Sequence, residues 1–372
     1  MAAEPSDHLA IFLPSFERGG VERMLVNLAG GIAELGVPVD LVVMRSRGGY
    51  LDSLDARVRL VELGQLEGRA LLRGAAAYLR DARPTVMLAS KTENDSLALA
   101  ARAEAGVGTR IAMRAAVDVT GRLRMKGHGT LRIWWARRSL ARIYRGADSL
   151  IAVSQGVAAD LASIAGVPVE SINVIHNPVI TPRLLPLARA AVDHPWFLDP
   201  SIPVVIGIGR LGNQKNFGLL IRAFARVHAQ RPCRLMILGE GRHRARLERL
   251  VRTLGLASHV AMPGFAENPY AMLSRARLFV LSSLWEGSPN VLTEALALGV
   301  PVVATDCPSG PREILDGGRY GALVPLGDEK GLARAMLDTL EAPHSADFLT
   351  QAVSDYTVAA SARHYLDVLR MR

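Results

Sequence analysis

The sequence has few cysteines and no long apolar run. Its 372 residues include only Cys233 and Cys307, too few for a disulfide framework or a cysteine-based metal site, which agrees with a reducing compartment. No apolar run approaches the roughly 18–20 residues that a helix needs to span a bilayer. The N-terminus carries Glu4 and Asp7, where a signal peptide would carry basic residues. We therefore expect a cytoplasmic protein.

The composition is that of a packed globular protein. Hydrophobic residues make up 49% of the chain and charged residues 21%, with a mean hydropathy of +0.19. A chain of 372 residues is too long for one compact core, so two domains are expected.

The net charge of +9 is concentrated in residues 110–145, which carry ten lysines and arginines against one acid, Asp118. Trp134 and Trp135 lie inside this segment. The pattern suits an anionic surface such as membrane lipid, and a solvated basic face with two structural tryptophans is the alternative. Because the segment lacks a motif that reads bases, we expect no nucleic-acid partner.

The first half of the chain alternates apolar strands with helices. A helix is expected to end at Gly36, and another to begin at an N-cap, Ser154. This alternation predicts a parallel sheet covered on both faces. The predicted strands are 9–14, 37–44, 84–90 and 109–114, followed by one within 147–153 and one within 172–178.

A proline-rich stretch, residues 177–203, interrupts this pattern and indicates an interdomain connection. A second α/β series follows it. The fold class expected is α/β, with two Rossmann-like domains facing across a cleft and a C-terminal helix that returns to the N-terminal domain. The predicted divisions are an N-terminal domain at 1–183, a linker at 184–202, a C-terminal domain at 203–355 and a closing helix at 356–372.

Loops between a strand and a helix can bind anions through free backbone N–H groups. Gly19 and Gly20 precede the first helix, where adjacent glycines let a backbone approach a ligand, although a plain turn is an equal alternative. Arg210 and Lys215 flank a turn after a buried strand. Two cations near a helix N-terminus are unfavourable without an anion, so a diphosphate is the preferred ligand and solvated surface cations are the alternative.

The segment from Leu284 to Thr305 places Glu286 and Glu294 with seven residues between them. Ser288 is expected to be a helix N-cap and Pro289 the first helical residue. Helix capping does not explain why residue 286 is a glutamate. It also does not explain Glu294, whose carboxylate lies among apolar helix residues and therefore needs a polar partner. Ribose or hexose hydroxyls would be suitable partners.

With these motifs the chain resembles the retaining GT-B glycosyltransferases that use nucleotide-sugar donors, the group 1 family with a Glu-x₇-Glu pair. The resemblance covers almost the whole chain, and the ordered set of motifs is specific where each single motif is weak. The matching segments are 18–29, 147–161, 172–179, 207–224, 235–241, 260–265, 279–306 and 310–315.

The resemblance implies roles for individual residues. Arg210 and Lys215 would bind the donor diphosphate, and Glu294 would accept hydrogen bonds from the ribose. Glu286 would hold hydroxyls of the transferred sugar, as a catalytic residue together with Arg210 and Lys215. The remaining donor-binding positions are Gly264 and Phe265 by the base, Gly19 and Gly20 over the diphosphate, and Gly287, Ser288, Pro289, Asn290 and Val291 around sugar and phosphate. Gly310 and Glu313 belong to a matching loop of less defined role.

No metal or other cofactor is expected, because the sequence contains no D-x-D acid motif and cations can replace a divalent metal at the leaving phosphate. Glu286 is not expected to be a glycosidase-style nucleophile, since no second carboxylate shows the spacing of that reaction. One departure from the family is Arg114, which stands where many relatives have a histidine that contacts the sugar.

The resemblance implies transfer of a hexose or N-acetylhexosamine, from a UDP-sugar in preference to a GDP-sugar. The acceptor would be a glycan or a lipid-linked saccharide in envelope polysaccharide or glycolipid synthesis. The enzyme would be cytoplasmic and peripheral on the inner face of a membrane, docked through 110–145.

The alternatives are a GDP-mannose-dependent mannosyltransferase, a nucleotide-sugar epimerase on the same frame, and a binding protein without catalysis. Intact Glu286, Glu294, Arg210 and Lys215 disfavour the last of these.

Overall fold

The computed structural model describes residues 7–13, 19–44, 53–64, 66–90, 92–198 and 201–372, except for the side chains of residues 92 and 93. The chain divides into two compact units. The described residues of Met1–Val179 form the first unit together with Asp355–Arg372, and the second unit spans Ile180–Ser354. Within the described part of the chain, no helix combines the length and apolarity that crossing a bilayer requires.

The first unit is built on a seven-stranded sheet in which every strand pair is parallel. Its spatial order is β3-β2-β1-β4-β5-β6-β7. The strands are β1 (Leu9–Phe12), β2 (Val39–Val43), β3 (Val58–Glu62), β4 (Val86–Ser90), β5 (Arg110–Ala115), β6 (Ser149–Ala152) and β7 (Asn173–Val174).

Helices cover both faces of this sheet. They are α1 (Gly20–Glu34), α2 (Gly68–Ala82), α3 (Thr92–Ala105), α4 (Val119–Met125), α5 (Thr130–Tyr144) and α6 (Gln155–Ala165). Alternate residues of β1 show the two faces. Leu9 and Ile11 pack in one apolar cluster, whereas Ala10 and Phe12 pack in another on the opposite side, as the period of a strand requires. The parallel sheet predicted from the sequence is confirmed.

The second unit has a six-stranded parallel sheet in the order β10-β9-β8-β11-β12-β13. Its strands are β8 (Val204–Ile208), β9 (Arg234–Leu238), β10 (Val260–Gly264), β11 (Leu278–Leu281), β12 (Val302–Thr305) and β13 (Ala322–Val324). Its helices are α7 (Leu184–Arg189), α8 (Phe217–His228), α9 (Arg244–Thr253), α10 (Tyr270–Leu273), α11 (Asn290–Ala297), α12 (Pro311–Ile314), α13 (Glu329–Glu341) and α14 (Ala346–Gln351).

The last helix, α15 (Val358–Leu369), belongs to the first unit. Ala362, Tyr365 and Leu369 are buried in the same apolar cluster as Leu25 and Leu28 of α1. The closing helix expected at the C-terminus, and its return to the N-terminal domain, are therefore confirmed.

Residues 184–202, which the sequence analysis treats as a linker, include helix α7 within the second unit. The carbonyl oxygen of Leu187 accepts a hydrogen bond from Asn268 Nδ2 at 2.8 Å, and that of Ala188 accepts one from Ser274 Oγ at 3.0 Å. Side chains of the second unit thus bind carbonyl groups at the end of this short helix, where carbonyls lack a full set of partners within the helix.

Candidate functional site

The predicted donor residues of the second unit gather where its strand order reverses. Strand β8 lies between β9 and β11, so the chain leaves β8 toward one side of the sheet and later returns to the other. In open α/β sheets, ligands bind at the carboxyl ends of the strands at this switch point. Arg210 and Lys215 follow β8, and Glu286 follows β11. Arg210 and Glu286 are 76 residues apart in the sequence, but both follow the carboxyl ends of strands that are adjacent in the sheet.

Lys215 and Glu286 form an ion pair at this edge, with 2.7 Å between Lys215 Nζ and Glu286 Oε1. Ser283 Oγ donates to the same carboxylate oxygen at 2.7 Å, and Gln214 Nε2 donates to Oε2 at 3.3 Å. Glu286 is only 6% exposed. A buried carboxylate needs such donors, and here each of its two oxygens has at least one.

The loops after β8, β11 and β12 are held together by further hydrogen bonds. Ser282 Oγ donates to the carbonyl of Lys215 at 2.7 Å, and the Leu284 amide donates to the carbonyl of Gln214 at 2.8 Å. Thr305 Oγ1, at the end of β12, donates to the carbonyl of Ser283 at 2.6 Å. The position of the ion pair is therefore fixed by backbone contacts and not by flexible side chains alone.

Cys307 lies close to this pair and is buried. Burial, and next the Glu286 carboxylate, raise the pKa of the Cys307 thiol. The thiol is therefore protonated at neutral pH and is a poor nucleophile or metal ligand.

Glu294 lies on α11 and is buried. Tyr270 OH donates a hydrogen bond to Glu294 Oε1 at 3.2 Å. The sequence expectation that this carboxylate has a polar partner is met in part by a protein side chain from α10. The tyrosine hydroxyl restrains one carboxylate oxygen and so orients the group.

The start of α11 differs from the sequence prediction by one residue. The helix begins at Asn290 and not at Pro289, and Pro289 occupies the cap position without a side-chain cap. The ψ angle of Pro289 is 99°, which is outside the helical region, so Ser288 lies one residue before the cap. The predictions of Ser288 as N-cap and Pro289 as first helical residue are therefore wrong.

The loop Gly287–Pro289 is packed against Gly310, which precedes α12. Gly310 has φ +89° and ψ −70°. A Cβ atom at this position would lie 2.6 Å from Pro289 Cδ and 2.8 Å from the Gly287 carbonyl oxygen. Only glycine fits at residue 310 without moving the Gly287–Pro289 loop. The segment around Gly310 and Glu313 therefore has a structural role, because it supports the loop that follows Glu286.

Arg210 and Phe265 are the more exposed members of the predicted site. Arg210 follows β8 and is exposed. Gly264 ends β10, and Phe265 is 46% exposed beyond it. Both lie at the carboxyl edge of the same sheet as Lys215 and Glu286, so the second unit brings the predicted base, diphosphate and sugar residues to one edge. Asn290 and Val291 lie at the first turn of α11.

The glycine pair of the first unit lies at the start of α1. Gly19 occupies the cap position and Gly20 is the first helical residue. Residue 18 lies outside the described residues. The buried Glu22 carboxylate lies directly beside Gly19, so a protein anion already complements the positive end of this helix.

Arg114 is fully inside the first unit, with 2% of its surface exposed. Its Nη2 donates to Asn177 Oδ1 at 2.6 Å and its Nη1 to Ser90 Oγ at 3.3 Å. Burial lowers the pKa of Arg114, while Tyr365 of α15 acts in the opposite direction. Arg114 thus stands where many relatives have a sugar-contacting histidine, and Ser90 and Asn177 of the same unit hold its guanidinium.

Three residues that contact the carboxylates of the site were not predicted from the sequence: Gln214, Ser283 and Tyr270. A polar pair, Ser282 and Ser283, directly after an apolar strand is a signal that could have identified one of them. Tyr270 had no such signal, because its contact with Glu294 depends on how α10 and α11 pack. Among the described residues, no group of three or more histidine, cysteine, aspartate or glutamate side chains is arranged to hold a metal ion.

Comparisons with known proteins agree with this architecture. The model of the glycosyl transferase 4-like domain matches residues 19–178, and that of glycosyl transferases group 1 matches residues 202–342. The lipopolysaccharide core biosynthesis glycosyltransferase LpsE of Rhizobium meliloti is 29% identical over 321 residues, which are 86% of this chain and 84% of LpsE.

A second relative comes from Campylobacter jejuni, the N-acetylgalactosamine-N,N'-diacetylbacillosaminyl-diphospho-undecaprenol 4-alpha-N-acetylgalactosaminyltransferase. It is 32% identical over 202 residues, 54% of this chain and 53% of the relative. The chain thus spans about half the length of that relative.

Among solved structures, Anabaena HepE in complex with UDP has a TM-score of 0.77 at 19% identity, covering 98% of this chain and 99% of HepE. This similarity shows a common fold. Because the two family models follow each other along the chain and the fold agrees over almost its whole length, the chain belongs to the group 1 glycosyltransferases with a 4-like N-terminal domain and has the GT-B fold.

Proposed function

We propose that this glycosyltransferase transfers a hexose or N-acetylhexosamine from a nucleotide sugar, with a UDP-sugar favoured, to a glycan or lipid-linked saccharide. The reaction would retain the anomeric configuration and need no metal. The observation that carries the proposal is the ion pair of Lys215 and Glu286, 2.7 Å apart at the switch point of the second sheet. It is supported by the similarity to HepE, which was solved with UDP.

Lys215 and Arg210 are the groups proposed to stabilise the leaving diphosphate. Breaking the bond between sugar and phosphate develops negative charge on the phosphate oxygens, and fixed cations there lower the barrier. A lysine ammonium has three N–H donors. The contact with Glu286 holds the ammonium in place and leaves donors for a phosphate oxygen. With such cations, no divalent metal is required for charge stabilisation.

Glu286 is proposed to hold hydroxyls of the transferred sugar. Both of its oxygens accept hydrogen bonds from protein donors, an arrangement that orients a carboxylate to accept further bonds. An acceptor hydroxyl would attack the face that the phosphate leaves and pass its proton to a phosphate oxygen. In that course the new glycosidic bond forms as the sugar–phosphate bond breaks, and Glu286 forms no covalent bond.

Glu294 is proposed to accept hydrogen bonds from the ribose. Tyr270 fixes one oxygen of this buried carboxylate, and vicinal hydroxyls of a ribose suit the pair of acceptor oxygens. Gly264 and Phe265 would lie by the base, and Gly19 and Gly20 would approach the diphosphate. Backbone groups of Gly287, Ser288, Pro289, Asn290 and Val291 would contact sugar and phosphate.

The acceptor is proposed from the relatives. LpsE is named for lipopolysaccharide core biosynthesis, and the Campylobacter relative for a diphospho-undecaprenol substrate. We therefore propose that the activity belongs to envelope polysaccharide or glycolipid synthesis and that the enzyme acts as a peripheral protein at the inner face of a membrane.

The test is turnover of a panel of nucleotide sugars, with release of UDP or GDP measured with and without a metal chelator. We predict release of UDP from a UDP-sugar that persists in chelator, and a product whose anomeric configuration, read by NMR, equals that of the donor. An inverted product would overturn retention, and loss of turnover in chelator would overturn metal independence. Interconversion of the donor without acceptor would instead identify an epimerase.

A further inference from the structure

Helices α4 and α5 carry an exposed apolar surface in the first unit. We call this surface the hairpin face. It consists of large apolar side chains and of cationic side chains. Leu131 is 70% exposed, Trp134 50% and Trp135 59%, and Met125 at the end of α4 is also exposed. Exposed side chains of this size leave much apolar area in water. The cationic members of the hairpin face are Arg124, Lys126, Arg132, Arg138 and Arg142.

The hairpin face is not needed to hold α5 on the protein. The opposite side of the helix is buried through Ile133, Leu140 and Tyr144. Arg137 also faces inward, where its Nη1 donates to Thr120 Oγ1 at 2.7 Å and its Nη2 to Ser163 Oγ at 2.7 Å. Helix α5 therefore packs on the first unit through one side, and its exposed apolar side is not used for that packing.

The exposed side chains are arranged along one side of α5. Leu131, Trp135, Arg138 and Arg142 recur at helical spacing, so they share one side. Trp134 and Trp135 are in contact, with ring centroids 4.9 Å apart at an angle of 79°. The guanidinium of Arg138 lies 5.6 Å from the centroid of the Trp134 ring. The result is an aromatic and aliphatic patch followed by arginines one and two turns later.

The charge around the patch has one sign. No acid occurs between Asp118 and Asp148, whereas residues 119–145 contain eight lysines and arginines. In the described part of the chain, the cations of the hairpin face form no ion pair within 4.0 Å. They are therefore available to an external anionic partner, and their mutual repulsion would be relieved by it.

We infer that the hairpin face docks the enzyme on the surface of an anionic lipid bilayer. Tryptophans are favoured at the membrane–water interface because one part of the ring is apolar and the N–H is polar. Arginines flanking them attract anionic headgroups. A dissolved polyanion would use the arginines but would leave the exposed apolar side chain of Leu131 in water, whereas a bilayer interface takes up apolar and cationic groups together. The inference rests on the proposed function only in that a lipid-linked acceptor would be presented at such a surface.

The experiment is co-sedimentation of the full-length protein with vesicles, either of phosphatidylcholine alone or of equimolar phosphatidylcholine and phosphatidylglycerol. The expected result is binding to the anionic vesicles that weakens with salt. Trp134→Ala/Trp135→Ala and Arg138→Gln/Arg142→Gln should each weaken binding by about tenfold or more, since each cation near an anionic surface contributes substantially. The matched control is Arg246→Gln/Arg249→Gln, which removes two exposed cations from α9 and should leave binding unchanged.

Tryptophan fluorescence gives a second measurement. Trp285 is buried while Trp134 and Trp135 are exposed, so insertion should shift the emission to shorter wavelength with anionic vesicles, and Trp134→Ala/Trp135→Ala should abolish the shift. Circular dichroism confirms that the variants are folded. The proposal is overturned if the protein does not sediment with anionic vesicles. It is also overturned if the arginine variant alone loses binding and an oligonucleotide competes fully, which would indicate a polyanion site.

Thermal stabilisation by UDP separates this proposal from the catalytic one. Variants of the hairpin face should keep the UDP-induced rise in Tm, because the substituted residues belong to the first unit and Lys215, Glu286 and Glu294 belong to the second. Absence of that rise in the wild-type protein would argue against the donor site and leave the sedimentation result unaffected.

Discussion

Lys215 and Glu286 contact each other at 2.7 Å across the ends of two adjacent parallel strands, with 15% and 8% of their side chains exposed. This relationship joins two loops that are 71 residues apart in the sequence. In the proposed function, the cation of this pair faces the leaving phosphate and the carboxylate holds sugar hydroxyls.

Replacing Lys215 should remove transfer activity. Lys215→Ala deletes a fixed cation, and loss of one preorganised charge-stabilising group costs roughly 10²–10³-fold in turnover. The measurement is nucleotide release under saturating donor. Lys330→Ala is the control, since Lys330 is an exposed lysine of the same unit. Unchanged activity in Lys215→Ala would count against the proposed role of this residue.

The ion pair should also couple the effects of substituting Lys215 and Glu286 on the free energy of unfolding. Lys215→Ala leaves the buried Glu286 carboxylate without its cation, and Glu286→Gln removes the charge that the cation faces. We expect the free energies of unfolding of the two single variants and the double variant to be non-additive, with a coupling of about 0.5–3 kcal/mol. Denaturant unfolding of the four proteins measures it. Additive effects would show that the contact does not act as a pair.

Glu294 and Tyr270 should influence nucleotide affinity to different degrees. Glu294→Gln removes the charge of the proposed ribose acceptor, and hydrogen bonds to charged groups contribute about 1.5–3 kcal/mol, so the Kd for UDP should rise about tenfold or more. Tyr270→Phe removes only the hydroxyl that orients Glu294 and should raise the Kd a few-fold. Tyr320→Phe, elsewhere in the same unit, is the control. Equal effects of Tyr270→Phe and Tyr320→Phe would contradict the orienting role.

Gly310→Ala should disturb the loop that carries Glu286. Its Cβ would clash with Pro289 and with the Gly287 carbonyl, and positive φ adds strain for any other residue. We expect a higher KM for the donor and a lower Tm. Gly327→Ala has a similar φ of +80° but no atom within 4 Å, so it separates strain from collision. If both variants raise KM equally, the contact with the Gly287–Pro289 loop is not the cause.

Asp118 predicts a pH dependence of stability. Burial, and further the nearby Asp160 carboxyl, raise the pKa of Asp118 to about 6, while the Gly121 amide acts in the opposite direction. Between about pH 4 and pH 6 the folded state therefore holds a proton on Asp118 that the unfolded state has released. This proton contributes its full stabilisation of the folded state below about pH 4, and the contribution is lost as the pH rises to about 6. Asp118→Asn keeps a helix N-cap but cannot ionise.

The Tm of Asp118→Asn relative to the wild-type protein should thus rise by a few degrees between about pH 4 and pH 6 and stay constant above. Measuring the difference between the two proteins removes the contribution of other acids, such as Asp40, whose pKa lies well below its usual range because of hydrogen bonds from His8, Arg59 and Tyr78 that outweigh its burial. A difference that is flat over this range would contradict the raised pKa.

Local rules predicted much of the fold. Ser154 caps α6 through a hydrogen bond from the Val157 amide, and Gly36 follows α1 with φ +91°, as residue type alone indicates. Strand β3 and helix α2 were not predicted from the sequence. Strand β3 pairs only with β2 at the edge of the sheet, and its charged residues Arg59 and Glu62 are exposed, so it lacks the continuous apolar run of the central strands.

The site was predictable in its charged residues but not in their contacts. Arg210, Lys215 and Glu286 follow apolar strands, and the topology of a parallel sheet brings such ends together. The partners of Arg114 were not accessible in this way. Its contacts with Ser90 and Asn177 are 24 and 63 residues distant in sequence, and a buried arginine is rare, so only tertiary packing shows its role.

The most direct test of the central claim is thermal unfolding with a panel of nucleotides and nucleotide sugars, comparing the wild-type protein with Lys215→Ala. A ligand that binds the folded state stabilises it by about 2.7 kcal/mol at 100 times its Kd. We predict that UDP and at least one UDP-sugar raise the Tm of the wild-type protein and that Lys215→Ala loses most of this rise. No rise with any nucleotide or nucleotide sugar, or an equal rise in both proteins, would contradict a donor site built around Lys215 and Glu286.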